Sequence, residues 1–131
     1  MSHQNDVVWH LKIEHDETEG VRVLTATGRV SSLTVAELEK ALGAGGVAPT
    51  RGLVLDLSGV DYISSQGIRA LASTATALAE AGRPFVVCGV RDPVGVAFAL
   101  AGLEPTLAVE PSREAALARA ISSLRAGERA C

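Results

Sequence analysis

The sequence predicts one α/β domain, a mixed β-sheet with parallel central strands covered by helices. Two short aliphatic runs, "GLVLDLSGV" (52–60) and "PFVVCGV" (84–90), enclose a stretch of helical periodicity. That is the pattern of a βαβ unit, whose crossover is almost always right-handed. Upstream, two segments rich in β-branched residues are joined by a polar stretch, which adds an antiparallel pair to the parallel one. The chain has 131 residues, is 47% hydrophobic and 21% charged, and carries a formal net charge of −3. This is enough apolar matter for one core and too little net charge for disorder.

The elements follow in order. Residues 1–6 read as a flexible N-terminus. "VVWHLKI" (7–13) and "GVRVLTATG" (20–28) read as strands, with "EHDETEG" between them as a hairpin loop ending in Gly20. In "TVAELEKALGAGG" (34–46), Thr34 stands three residues before Glu37, the spacing of a capping box. Val35, Leu38 and Leu42 share one helical face, and Gly43 to Gly46 stop the helix. Residues 52–60 form a buried central strand. The following helix, 64–84, carries Ile68, Leu71, Ala75, Leu78 and Ala79 as its apolar stripe, closed by Gly82 and Pro84. After the strand 84–90, Asp92 is placed as N-cap, with Pro93 at the first helical position and Gly102 at the helix end. "TLAVE" (106–110) is a short strand. A last helix (111–127), capped by Ser112, presents Ala116, Leu117, Ile121 and Leu124. The domain spans 7–127, with 128–131 as a tail.

Composition and motifs exclude several functions. Weak acidity and 3% aromatic content oppose a nucleic-acid surface. Cys88 lies inside an apolar run as a small hydrophobe and Cys131 is the last residue, so no disulfide framework is implied and a reducing compartment fits. The N-terminus has no secretory pattern and no apolar run reaches membrane-spanning length, which points to a cytoplasmic protein without membrane insertion. "GAGGVA" (43–48) matches a dinucleotide fingerprint by letter, but it follows a helix and precedes a strand, the reverse of the required context. There is no G-x-x-x-x-G-K-[ST], and the lysines are Lys12 and Lys40. His3, His10 and His15 have no companions for a metal site. No histidine follows Ser64 or Ser65, which defeats the serine-hydrolase order. A phosphorylated receiver domain would place an aspartate at Asp56, but the early acidic pair and the late strand-end lysine are missing. The expectation is a protein that is not an enzyme and takes no cofactor and no metal.

What remains is "DYISSQG" (61–67), with Asp56 and Ser58 just before it. Asp56, Ser58, Asp61, Ser64 and Ser65 gather where a strand hands over to a helix, the sheet edge where α/β proteins meet ligands and partners. A purely structural account is also open: Ser64 or Ser65 caps the helix, Asp56 and Asp61 hold turn geometry, and Gly67 permits close approach.

"LVLDLSGVDYISSQGIRAL" resembles the STAS domain family, the anti-sigma factor antagonists of bacteria. "GVRVLTATGRVSSLTVAELEKAL" and "GRPFVVCGVRDPVGVAFALAGLEPTLAVEPSREAALARA" extend the likeness over about residues 7–121. The resemblance implies a single STAS-like domain. It also implies a partner-switching regulator that binds an anti-sigma factor doubling as a serine kinase of the histidine-kinase-like ATPase type. Phosphorylation of a serine at the strand-to-helix junction would then release that partner. Some members read D-S-S-G, with the acceptor directly before the glycine; Gln66 stands there in this chain. Others read Y-I-S-S-A-G-L-R, which "YISSQGIR" follows, and this form points to Ser65, with Ser64 as the neighbouring alternative. The implied docking surface is Asp56, Ser58, Asp61, Ser64, Ser65, Gln66, Gly67 and Arg69. STAS domains also accompany lipid transporters and anion carriers, so the alternatives are an accessory subunit of a membrane transport complex or a scaffold or sensor without phosphorylation.

Overall fold

The computed structural model describes residues 10–43, 51–103 and 107–130. Along the chain run β1 (Leu11–Thr18), β2 (Val21–Val30), α1 (Val35–Leu42), β3 (Gly52–Ile63), α2 (Ser65–Glu80), β4 (Phe85–Cys88), α3 (Asp92–Ala101), β5 (Ala108–Glu110) and α4 (Arg113–Ala130). The sheet has the order β1-β2-β3-β4-β5. β1 pairs antiparallel with β2, and every later pair is parallel. The expected central pair is present, with Leu53 opposite Phe85 and Leu55 opposite Val87.

Each parallel step moves one place across the sheet in the same direction. Right-handed crossovers then stack their helices on one face. Leu38 of α1, Leu71 and Leu78 of α2, and Val94 and Phe98 of α3 accordingly share one core with Leu24, Leu55, Leu57 and Val87 of the strands. α4 covers the other face with Ala116 and Ala120, packed on Val21, Val23, Val54, Val86 and Cys88. β3 and β4 are thus covered on both sides, which is why they read as unbroken aliphatic runs.

Several boundaries differ from the sequence reading. The expected hairpin loop is mostly strand: β1 continues to Thr18 and turns in two residues, Glu19 (φ 51°) and Gly20 (φ 83°). Two successive positive φ values match the twist of a tight hairpin. The charged string is tolerated because β1 is an edge strand with its outer side in water. Thr34 precedes α1 but makes no side-chain cap. Its hydroxyl donates to the Arg29 carbonyl (2.7 Å) and accepts from the Ser31 N–H (2.9 Å), so the capping box does not form. Gly43 does end the helix, left-handed at φ 85°. Arg91, not Asp92, is the N-cap of α3, and Asp92 sits inside the first turn. Its charge there still faces the positive helix end. Ser112 caps α4 as expected, accepting from the Ala115 N–H at 3.1 Å. α4 continues past Gly127 to Ala130. The expected flexible segment 1–6, strand residues 7–9, most of the 43–48 loop, Thr106 and Cys131 lie outside the described residues.

The largest difference is the length of β3, which runs on through Asp61, Tyr62 and Ile63. Its register against β2 slips twice. Thr25 faces Asp56 while Thr27 faces Gly59, and Gly28 faces Val60 while Arg29 faces Tyr62. Each slip inserts one extra residue into β3, a β-bulge. Asp61, offered above as a turn residue, is absorbed in the second bulge, and the strand bends without ending.

Candidate functional site

The second bulge delivers the chain to α2. The Ser64 N–H donates to the Val30 carbonyl at 2.7 Å, the last tie to the sheet. Ser64 is then extended (φ −83°, ψ 169°), and its hydroxyl accepts from the Gly67 N–H at 3.2 Å. That is the N-cap arrangement, and Ser64 is 8% exposed. Of the two serines that could have capped the helix, Ser64 does so. Ser65 is the first helical residue and is exposed, as are Gln66 and Arg69. Gly67 is buried, and a Cβ there would come within 2.6 Å of Val30 Cγ1 and 2.7 Å of Ile63 Cγ1. The glycine therefore lets the first turn of α2 lie against the strand ends.

Ser65 opens onto a groove of about 450 Å³ lined by Arg29, Ser31, Ser32, Tyr62, Ser64, Ser65 and Gln66. Its wall is ordered by the loop after β2, where Thr34 holds the Arg29 carbonyl and the Ser31 N–H, and the Ser31 hydroxyl accepts from the Leu33 N–H at 3.1 Å. Arg29 lies with its guanidinium carbon 4.9 Å from the Tyr62 ring centroid, in cation–π range. Tyr62, in the lining of the groove, is 42% exposed, and Leu33, next in sequence to Ser32 of the lining, is 71% exposed.

Asp56 lies elsewhere, midway along β3 beneath the start of α4. Its Oδ2 accepts from Arg113 Nη2 at 3.1 Å and Nε at 3.3 Å, and its Oδ1 accepts from the Ser58 N–H at 2.9 Å. Arg113 Nη2 also donates to the Thr25 hydroxyl. Gly89 (φ 67°) closes over this cluster, where a Cβ would stand 3.0 Å from Asp56 Oδ1 and 2.9 Å from Ser58 Cβ. Burial alone would raise the Asp56 pKa, but the Ser58 N–H and hydroxyl and the Arg113 guanidinium outweigh it. They hold the carboxyl below its ordinary 3.8. Cys88, fully buried on the neighbouring strand, is pushed up to about 11 by burial and then by the Asp56 carboxylate. At neutral pH it is an unreactive thiol, as its apolar setting in the sequence suggested.

The eight residues expected at the junction therefore divide. Ser64, Ser65 and Gln66 line one groove. Arg69, Asp61 and Ser58 are exposed, Asp61 and Ser58 at the two bulges of β3. Asp56 and Gly67 are buried. Sequence reasoning missed Arg29, Tyr62, Thr25 and Arg113. Tyr62 had a signal in being an aromatic next to the serines; Arg113 had none, because it lies 57 positions from Asp56.

Comparison with known proteins agrees with this architecture. Residues 12–116 match the STAS domain model. The chain is 33% identical over 108 residues to BtrV of Bordetella bronchiseptica, a candidate anti-sigma factor antagonist, covering 82% of this chain and 93% of that protein. It is 28% identical over 105 residues to the anti-sigma-B factor antagonist of Staphylococcus aureus, covering 80% and 97%. The crystal structure of an anti-sigma factor antagonist from Mycobacterium paratuberculosis superposes with a TM-score of 0.76 at 29% identity, over 85% of this chain and 94% of that one. Among the described residues, no helix is long and apolar enough to cross a membrane. The relatives compared above carry the name of anti-sigma factor antagonist, in BtrV as a candidate, and the chain belongs to the STAS domain family.

Proposed function

We propose that this protein is a partner-switching regulator of transcription in the cytoplasm. It binds an anti-sigma factor that is also a serine kinase of the histidine-kinase-like ATPase type, and phosphorylation of Ser65 releases it. The observation that carries this reading is the contrast between adjacent serines. The Ser64 hydroxyl is buried and committed to the Gly67 N–H, whereas Ser65 is exposed at the first position of α2. A kinase can reach the second without unfolding the cap.

Ser65, Gln66 and Arg69, with Asp61 and Ser58 on the neighbouring bulges, form the docking surface. Ser64, Asp56 and Gly67 support it from beneath, through the cap, the Ser58 N–H and the helix–strand contact. The chain itself is substrate and ligand, so purified protein should turn over ATP or GTP no faster than a no-enzyme control.

A phosphoryl group on Ser65 adds a charge of about −1.5 to −2 at the positive end of a helix dipole, which the free domain tolerates. In a docked complex the same group brings bulk and charge into a partly desolvated contact. A penalty of about 3–4 kcal/mol weakens binding roughly 100–1000-fold. The test is calorimetry of a candidate anti-sigma kinase against unmodified protein, phospho-Ser65 protein and Ser65→Ala, with the phosphosite mapped by mass spectrometry. Unmodified protein and Ser65→Ala should bind alike and phospho-Ser65 should not. Three equal affinities would remove the switch from Ser65, and phosphate found on Ser64 would move it there.

A further inference from the structure

We propose that Ser32 is a second phosphoacceptor, modified in the same groove by the kinase that modifies Ser65. The inference rests on the reading of Ser65 as phosphoacceptor and adds a second site of the same chemistry.

Two parallel strands end alike at this groove. Val30 of β2 pairs in register with Ile63 of β3, and each is followed by two serines, Ser31-Ser32 and Ser64-Ser65. Paired strands lie about 4.8 Å apart, so the two serine pairs leave the sheet side by side. The bond from the Ser64 N–H to the Val30 carbonyl, 2.7 Å long, ties them together. In each pair the first serine is buried and committed. The Ser31 hydroxyl accepts from the Leu33 N–H at 3.1 Å, as the Ser64 hydroxyl accepts from the Gly67 N–H at 3.2 Å. In each pair the second serine is exposed and lines the groove of about 450 Å³.

Exposure alone does not select Ser32. Ser58 at the first bulge, Ser73 on α2, and Ser122 and Ser123 on α4 are exposed as well, but none of them lines this groove. A kinase placed over Ser65 covers Ser32 as the other exposed serine of the same lining. Neither buried neighbour has to give up its hydrogen bond for the exposed hydroxyl to be reached. The step matches the one at Ser65. The Ser32 hydroxyl oxygen bonds to the γ-phosphorus of ATP, the bond to the β–γ bridging oxygen breaks, ADP leaves, and the hydroxyl proton passes to a base of the kinase. Each phosphate brings a charge of about −1.5 to −2 into one docking surface, so single and double modification weaken the complex in two steps.

The experiment incubates the full chain with magnesium-ATP and the anti-sigma kinase tested by calorimetry, then counts and places phosphates by mass spectrometry. The wild-type chain should take two, on Ser32 and Ser65. Ser65→Ala should take one, on Ser32, and Ser32→Ala one, on Ser65. Phosphate on Ser65 alone in the wild-type chain overturns the proposal and leaves the Ser65 reading standing. Phosphate on Ser32 alone supports the site at Ser32 and overturns Ser65 as acceptor, and phosphate on neither overturns both. Modification of Ser73, Ser122 or Ser123 as rapid as that of Ser32 makes exposure, not the groove, the determinant, and overturns the proposal. Phosphoserine installed at position 32 alone during synthesis should weaken binding of that kinase at least about tenfold. Affinity equal to that of the unmodified chain overturns the two-step release.

Discussion

Asp56 and Ser65 both follow aliphatic runs, both stand among short polar residues, and β3 connects them, yet their surroundings are opposite. At Asp56 the sheet is covered on both faces, and each carboxylate oxygen has a donor, Ser58 on one side and Arg113 on the other. At Ser65 the hydroxyl is exposed above a groove, and its neighbour Ser64 has taken the capping role. A polar group under a helix has to be satisfied by the fold, because leaving it unpaired is costly. One at a helix start beyond the covered region can be left for a partner. Polar clustering in the sequence does not separate these cases, but cover does.

The contrast is broken most directly at Arg113. Arg113→Ala leaves the Asp56 carboxylate under α4 without its guanidinium, and should lower stability by about 2–3 kcal/mol in urea denaturation. The Arg113 side chain is 38% exposed, which keeps the cost below that of a fully buried pair. A loss under about 0.5 kcal/mol would mean that the clasp does not hold the helix. The opposite end offers Gly67, where the packing is apolar. Gly67→Ala should cost about 1–3 kcal/mol by forcing Val30 and Ile63 aside, against a gain of about 1 kcal/mol in helix propensity. Net stabilisation would show that the first turn of α2 can move away from the strand.

Acid should separate the two regions as well. The folded-state pKa of Asp56 is depressed, so its contribution is fully present above the unfolded value near 3.8 and is lost as pH falls through the lower folded value. Wild-type stability should therefore drop on acidification below about pH 4, and Arg113→Ala should show a smaller drop there. Parallel curves for the two proteins would detach the acid sensitivity from the clasp. The smallest effects compare the serines. Ser64→Ala should lose about 1 kcal/mol with the Gly67 N–H cap, while Ser65→Ala should stay within about 0.5 kcal/mol of wild type. If Ser65→Ala were the costlier of the two, the division between a capping serine and an available one would fail.

Much of the fold is legible from local chemistry and pattern. Double-sided cover shows as the aliphatic runs of β3 and β4, the left-handed helix ends as Gly43 and Gly102, and the cap of α4 as Ser112. The serine pair placed a helix start at 64–65, and the Y-I-S-S-x-G form drew attention to Ser65 within it. Local pattern also misled where a residue had a better partner close in space: Thr34 had the spacing of a capping box, but its hydroxyl serves Arg29 and Ser31. The remaining features depend on how distant segments meet. The strand read as ending at residue 60 ran on through Asp61 to Ile63 because β3 had a ladder partner to continue along, and its bulges set Tyr62 opposite Arg29. Arg113 reached Asp56 and Thr25 across 57 and 88 positions because α4 folds back over the sheet face that the crossover helices leave open. Caps and turns are made by residues within a few positions of each other, so their signal is in the local string. Register and ion pairs between distant elements depend on where the whole chain returns, and neighbouring letters carry no record of that.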